Sequence, residues 1–186
     1  MDKNKLKKAA QLILEGIGED PGRTGLKETP ERFVRMCEEI FAGYGKNPKD
    51  YVKIFENHIF DDIVLIKDID FFSFCEHHLL PFLGIVNIAY IPKNSKITGL
   101  SKLPRVVDIL SRRLQVQERL TYEITKTLYD LLNPKGIMTI IEAQHFCMIL
   151  RGVKKRDSKV ITISCEGIFK DNFGLQERVL GILKKT

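Results

Sequence analysis

A chain of 186 residues with 44% hydrophobic content has the length of one domain and can bury a sizeable core, so no autonomous second domain is expected. The formal charge of +6 leaves room for an anionic partner, but the basic residues are scattered among 24 carboxylates, and a nucleic-acid surface is not indicated. Four cysteines, Cys37, Cys75, Cys147 and Cys165, are too few and too widely spaced for a disulfide framework, which leaves thiols or metal ligands.

The basic start, Met1 to Lys8, runs into Gln11, Glu15, Gly16 and Gly18 and so lacks the apolar stretch of a signal peptide. Leu79 to Ile91 is the longest apolar region, but Pro81, Gly84 and Asn87 break it, which suits a buried strand better than a membrane span. The cytoplasm is the expected compartment, with no membrane partner.

In chain order, Leu6, Ala9, Ala10, Ile13, Leu14 and Ile17 recur at helical spacing, and Asp20-Pro21-Gly22 stops that helix. Thr29-Pro30-Glu31 reads as an N-cap with proline in the first turn, ahead of a stripe of Phe33, Cys37, Ile40 and Phe41. Cys37 on that stripe reads as a core residue. The β-rich segments His58 to Phe74 and Phe82 to Ile91 read as strands flanking Cys75-Glu76-His77-His78-Leu79-Leu80-Pro81. Two helical stripes follow: Leu103, Val106, Val107, Leu110 and Leu114, then Val116, Leu120, Ile124, Leu128 and Leu131, ending at Asn133-Pro134-Lys135-Gly136. Ile137 to Leu150 and Lys159 to Phe169 fit strands, and Leu175 to Leu183 a closing helix. Strands and helices come in runs, which predicts an α+β fold with mainly antiparallel pairing.

Three constellations could carry chemistry. Cys75 and His78 have the C-x-x-H spacing with which a tight turn presents a thiolate and an imidazole to one ion. His145 and Cys147, two apart, share one face if their segment is a strand. Cys75, His78 and Cys147 would then make the three-ligand set of a catalytic zinc, with His77 and His145 free for proton transfer; a cysteine nucleophile beside a histidine is the competing chemistry. Arg151 falls on the same strand face, roughly 13 Å from Cys147 if the strand stays regular, comparable to a nucleotide's reach from base to phosphates.

Gly99 to Arg105 opens a helix with Ser101 as its cap, and Lys102 and Arg105 could add charge to an anion site at its N-terminus. Gln115-Val116-Gln117-Glu118-Arg119-Leu120 begins the next helix. Glu118 points off its apolar stripe, either as a favourable partner of the helix dipole or as an acceptor for the paired donors on guanine's edge.

Together, Cys75-Glu76-His77-His78, Gly99-Leu100-Ser101-Lys102, Ser111 to Leu120, and His145-Phe146-Cys147 with Arg151-Gly152 resemble the GTP cyclohydrolase I family in the right order, over about Thr29 to Phe169. The resemblance implies the tunnelling fold (T-fold) over 51–186 after a helical segment 1–50, as a single domain whose antiparallel sheet joins neighbours in a homodecamer with shared active sites. It implies one zinc per subunit on Cys75, His78 and Cys147, with His77 and His145 catalytic and Ser101 near the ribose. Glu118 would hold guanine, Gln117 would be a further substrate contact, and Lys102, Arg105, Arg151, Arg32 and Arg35 would meet the triphosphate. At Arg35 many members carry lysine, which keeps charge but changes geometry. The implied reaction is attack of a zinc-activated water on C8 of GTP with His77 assisting at N7. Loss of C8 as formate and reclosure then yield 7,8-dihydroneopterin triphosphate, the entry to folate or tetrahydrobiopterin synthesis. Rival readings are a related tunnelling-fold pterin or deazaguanine enzyme, and a basic binding module with structural zinc, which needs a fourth ligand.

Overall fold

The computed structural model describes residues 1–56, 60–94 and 96–184, and the chain divides into two compact units, Met1–Ala42 and Gly43–Thr186. In the first unit, helix α1 (Lys3–Gly16) starts where the Asp2 carboxylate accepts the Lys5 N–H at 3.0 Å, and buries Ala10 and Leu14. Helix α2 (Thr29–Ile40) takes Pro30 in its first turn, where a missing N–H costs nothing, and buries Pro30, Val34 and Cys37. Thr29 is the first helical residue rather than the cap; Glu28 precedes it and makes no side-chain capping bond. The Lys3–Glu38 pair at 2.7 Å and the Lys7–Glu31 pair link the two helices.

The second unit is built on a five-stranded sheet in the order β5-β2-β3-β6-β7: β2 (Val64–Cys75), β3 (Pro81–Ile91), β5 (Leu114–Gln115), β6 (Gly136–His145) and β7 (Val160–Gly167). All pairings in it are antiparallel except β5 with β2. A separate two-stranded ribbon pairs β1 (Ile54–Glu56) with β4 (Lys96–Thr98). The expected strand from His58 narrows to β2, since residues 60–63 precede the ladder and residues 57–59 lie outside the described ones. A bulge between Ile66 and Ile69 places Asp68 at φ 58, and the Asn87 side chain accepts its N–H at 2.9 Å.

Helices α3 (Lys102–Ser111) and α4 (Gln117–Leu132) cover one face of the sheet. Leu103, Val106 and Leu110 meet Leu120, Ile124 and Leu128 over Ile69, Phe71, Val86, Ile88, Ile137 and Ile141. Each such side chain, fully withdrawn from water, contributes on the order of 2 kcal/mol. On the other face, α6 (Phe173–Lys184) packs Val179 against Ala89, Ile91, Met138 and Ile140. The α+β class, the antiparallel sheet and the N-terminal helices agree with the expectation.

Two boundaries differ from it. Leu114 leaves the α3 stripe and Gln115 the α4 start, because both pair with Phe74 and Cys75 at the end of β2. The strand expected to reach Leu150 stops at His145, whose partner is Phe82, one residue after β3 begins at Pro81. With the partner strand ended, residues Phe146–Ile149 coil into one helical turn, α5.

Gly84 lies opposite Ala143 in the β3–β6 ladder, and a Cβ there would fall 1.9 Å from the Glu142 carbonyl oxygen and 2.7 Å from the Ala143 Cα. Both obstacles are backbone and cannot rotate away. Gly84→Ala should therefore destabilise the protein by about 3 kcal/mol or more. A urea titration checks this, and an unchanged midpoint would contradict such a close approach.

Candidate metal centre

The turn joining β2 to β3 presents the first half of the site. The Cys75 carbonyl accepts the N–H of His78 at 3.3 Å and of Leu79 at 2.9 Å, a single helical turn that brings residues three apart to one side. Leu79 then takes φ 54, and the Cys75 N–H returns to the Leu80 carbonyl at 2.9 Å. That left-handed Leu costs about 1 kcal/mol, which the surrounding ladder must offset.

Helix α5 supplies the second half. Ligand atoms of Cys75, His78 and Cys147 lie within 4.8 Å of one another. Cys75 is buried, Cys147 half-buried and His78 exposed, so the trio opens on one side to solvent. Burial, and next the adjacent Cys75 sulfur, push the Cys147 thiol up, while Arg151 pulls it down. Two neighbouring cysteine sulfurs completed by an imidazole are a donor set suited to zinc. The residues therefore fit zinc, and among the described residues the cluster offers three donors, the number of a catalytic rather than a structural site.

The geometry of the second half differs from a regular strand. Cys147 is held by the turn of α5, and Arg151 is not carried away along an extended chain. Gly152, at φ 61, helps reverse the backbone, and Arg151 Nη1 comes to 2.9 Å from His78 Nε2. A guanidinium only donates, so that nitrogen is here the acceptor and its lone pair is directed at Arg151.

His77 sits beside the trio, its Nδ1 3.8 Å from the Cys75 sulfur. His145 lies flat on the fully buried Phe82, with centroids 4.6 Å apart and planes at 3°. Its Nε2 is 2.8 Å from the Gln117 side-chain oxygen. Burial holds the His145 pKa down, and the Glu118 carboxylate opposes that shift, which puts Glu118 within electrostatic reach of the ring. Helix α4 thus contributes Gln117 and Glu118 to the surroundings of His145.

Ser101, Lys102 and Arg105 gather at the start of α3, with Ser101 and Arg105 exposed and Lys102 half-buried. The expected Ser101 cap is absent: its backbone is already helical and its hydroxyl makes no capping bond. Arg32 and Arg35 are exposed on α2 of the first unit, where Arg32 donates to Glu28 at 2.8 Å.

A clamp not foreseen from the motifs ties the metal turn to α4. Arg119 donates to Glu76 at 2.5 Å, to the Gln115 side chain at 2.8 Å and to the Leu114 carbonyl at 3.2 Å. The Glu76 N–H adds a bond to the Gln115 carbonyl at 3.1 Å. Arg119 holds the Glu76 carboxyl below its ordinary range. The cue in sequence was the acid inside Cys75-Glu76-His77-His78 and the arginine beside Glu118, but their pairing spans 43 positions. Arg119→Met should loosen the turn and speed zinc loss to a chelator by roughly tenfold. A release rate equal to the native one would show the clamp to be idle.

Known proteins share this sequence along nearly its whole length. The sequence model of the family "GTP cyclohydrolase I" matches residues 6–184. The chain is similar to GTP cyclohydrolase 1 of Caldanaerobacter subterraneus subsp. tengcongensis and of Thermoanaerobacter pseudethanolicus, each 50% identical over 183 residues, covering 98% of this chain and 97% of that protein. Among solved structures, the apo archaeosine synthase QueF-Like gives a TM-score of 0.47 at 16% identity over 56% of this chain and 93% of that one, too distant to add weight. With the Cys75, His78 and Cys147 cluster inside the matched span, and half of all positions shared along nearly its full length, the chain belongs to the GTP cyclohydrolase I family.

Proposed function

We propose that the protein converts GTP to 7,8-dihydroneopterin triphosphate and formate, the entry to folate or tetrahydrobiopterin synthesis, with one zinc ion per subunit. The observation that carries the reading is the convergence of Cys75, His78 and Cys147 in a chain matched by the family along residues 6–184. That single continuous match also favours one catalytic domain, with 1–50 as its helical N-terminal segment and 51–186 as a tunnelling-fold core.

When bound to those three residues, zinc supplies a Lewis acid that makes water a competent nucleophile near neutral pH. The chain's own groups do the rest. Glu118 accepts the paired N–H donors of guanine, which adenine does not offer in that pattern. His77 donates to N7 as C8 is attacked. His145, whose pKa burial lowers, is placed to accept a proton as the opened ring is hydrolysed. Ser101, uncommitted to a cap, serves the ribose rearrangement. Lys102, Arg105, Arg151, Arg32 and Arg35 hold the triphosphate.

Oligomerisation belongs to the same reading. β7 forms one edge of the sheet and exposes Ile161 and Ile163, a combination that favours pairing with another strand. A homodecamer with active sites shared between subunits would satisfy it, in the cytoplasm, where GTP is available. No described helix is long and apolar enough to cross a membrane.

Incubating the zinc-loaded protein with GTP should release formate and produce a pterin chromophore in equal amounts. Neither product would arise from a binding module, and their absence would overturn the reading.

A further inference from the structure

Helix α4 places Gln117 at its first position, and the side chain is 1% exposed although it is an amide. Such a group must find partners for two N–H donors and one carbonyl. Its Nε2 lies 3.1 Å from the Ile141 carbonyl, 3.0 Å from the Val160 carbonyl and 3.0 Å from the Thr162 hydroxyl. Its Oε1 lies 2.8 Å from His145 Nε2.

Proton bookkeeping leaves one arrangement. The Thr121 hydroxyl donates to the Gln117 backbone carbonyl at 2.7 Å, which uses its single proton. Thr162, 2.6 Å from Thr121, must then donate to it, and so accepts from Gln117. The two backbone carbonyls can only accept. Every nearby partner of Nε2 therefore wants a donor, and turning the amide over would set Oε1 against three acceptors. Three acceptors share two hydrogens, so the Gln117 side chain has no N–H left to offer a substrate.

The consequence falls on His145. Stacking on Phe82 fixes the plane of the imidazole but not its facing, because a flat ring does not distinguish a half-turn about Cβ–Cγ. The bond to Gln117 does: a half-turn would exchange Nε2 for a carbon. An amide oxygen accepts only, so the hydrogen resides on Nε2. This holds for the neutral and the cationic ring alike.

We propose that Gln117 is a positioning residue for His145, locking the ring's facing and its Nε2–H form so that Nδ1 is the nitrogen able to exchange a proton with the substrate. The role rests on the proposed assignment of His145 to proton transfer, and it replaces direct substrate binding by the Gln117 side chain.

Solid-state NMR of the native zinc-loaded protein labelled with 15N-histidine, with the His145 signals identified by their loss in His145→Asn, tests the lock without altering Gln117. Hydrogen on Nε2 of His145 is expected; a bare Nε2 with the hydrogen on Nδ1 would overturn the proposal. Gln117→Met provides the kinetic test, since it keeps the length and removes the amide. Zinc content and the KM for GTP should stay near native while kcat falls by roughly tenfold or more. A rise confined to KM with kcat unchanged would return Gln117 to substrate binding and overturn the proposal. Failure of the native protein to release formate would instead strike the assigned reaction, while the tautomer measurement would still read the lock itself.

Discussion

Replacing Cys147 by serine should empty the metal centre and lower formate release from GTP by at least about a hundredfold. Three donors converge on this site, so none is spare, and the hydroxyl of serine is a poor substitute for a thiolate that binds zinc at about 2.3 Å. The substitution is nearly isosteric. Cys147 is half-buried on the short α5, so the fold should survive, and the loss should be traceable to the metal. Elemental analysis, with a melting curve in the presence of chelator for comparison, decides the point. Full zinc occupancy in Cys147→Ser would return Cys147 to the role of a small residue packed against the core.

The adjacent histidines should fail in different ways. His78→Ser is expected to strip zinc, because two sulfurs alone remain and Arg151 loses the imidazole it contacts at 2.9 Å. His77→Ser should keep zinc yet lose ring opening by two or more orders of magnitude, on the order expected when a general acid is removed. His77 lies 3.8 Å from the Cys75 sulfur but outside the three-donor cluster, which separates its chemistry from metal retention. Zinc content and formate release, measured together on both variants, discriminate. Exchange of the two outcomes would exchange the assignments, and native values for both variants would leave neither role standing.

Much of this architecture was legible because burial imposes a period. Leu103, Val106, Val107 and Leu110 mark α3, and Leu120, Ile124 and Leu128 mark α4, since each helix has one face on the sheet. The C-x-x-H spacing of Cys75 and His78 was equally readable, for one turn of backbone is a local object. By itself, then, the sequence determined the α+β class, the main helices and strands, and the identity of the donors that could meet. Where β6 ends was decided only in three dimensions: its partner strand begins at Pro81, so the ladder stops at His145 and the chain coils into α5. Tertiary structure likewise converted Leu114 and Gln115 from helix to strand, brought Arg151 back to His78, paired Arg119 with Glu76 and enclosed the amide of Gln117. In each case the deciding partner lies far along the chain, and a hydrogen bond between distant segments leaves no periodic mark on either of them.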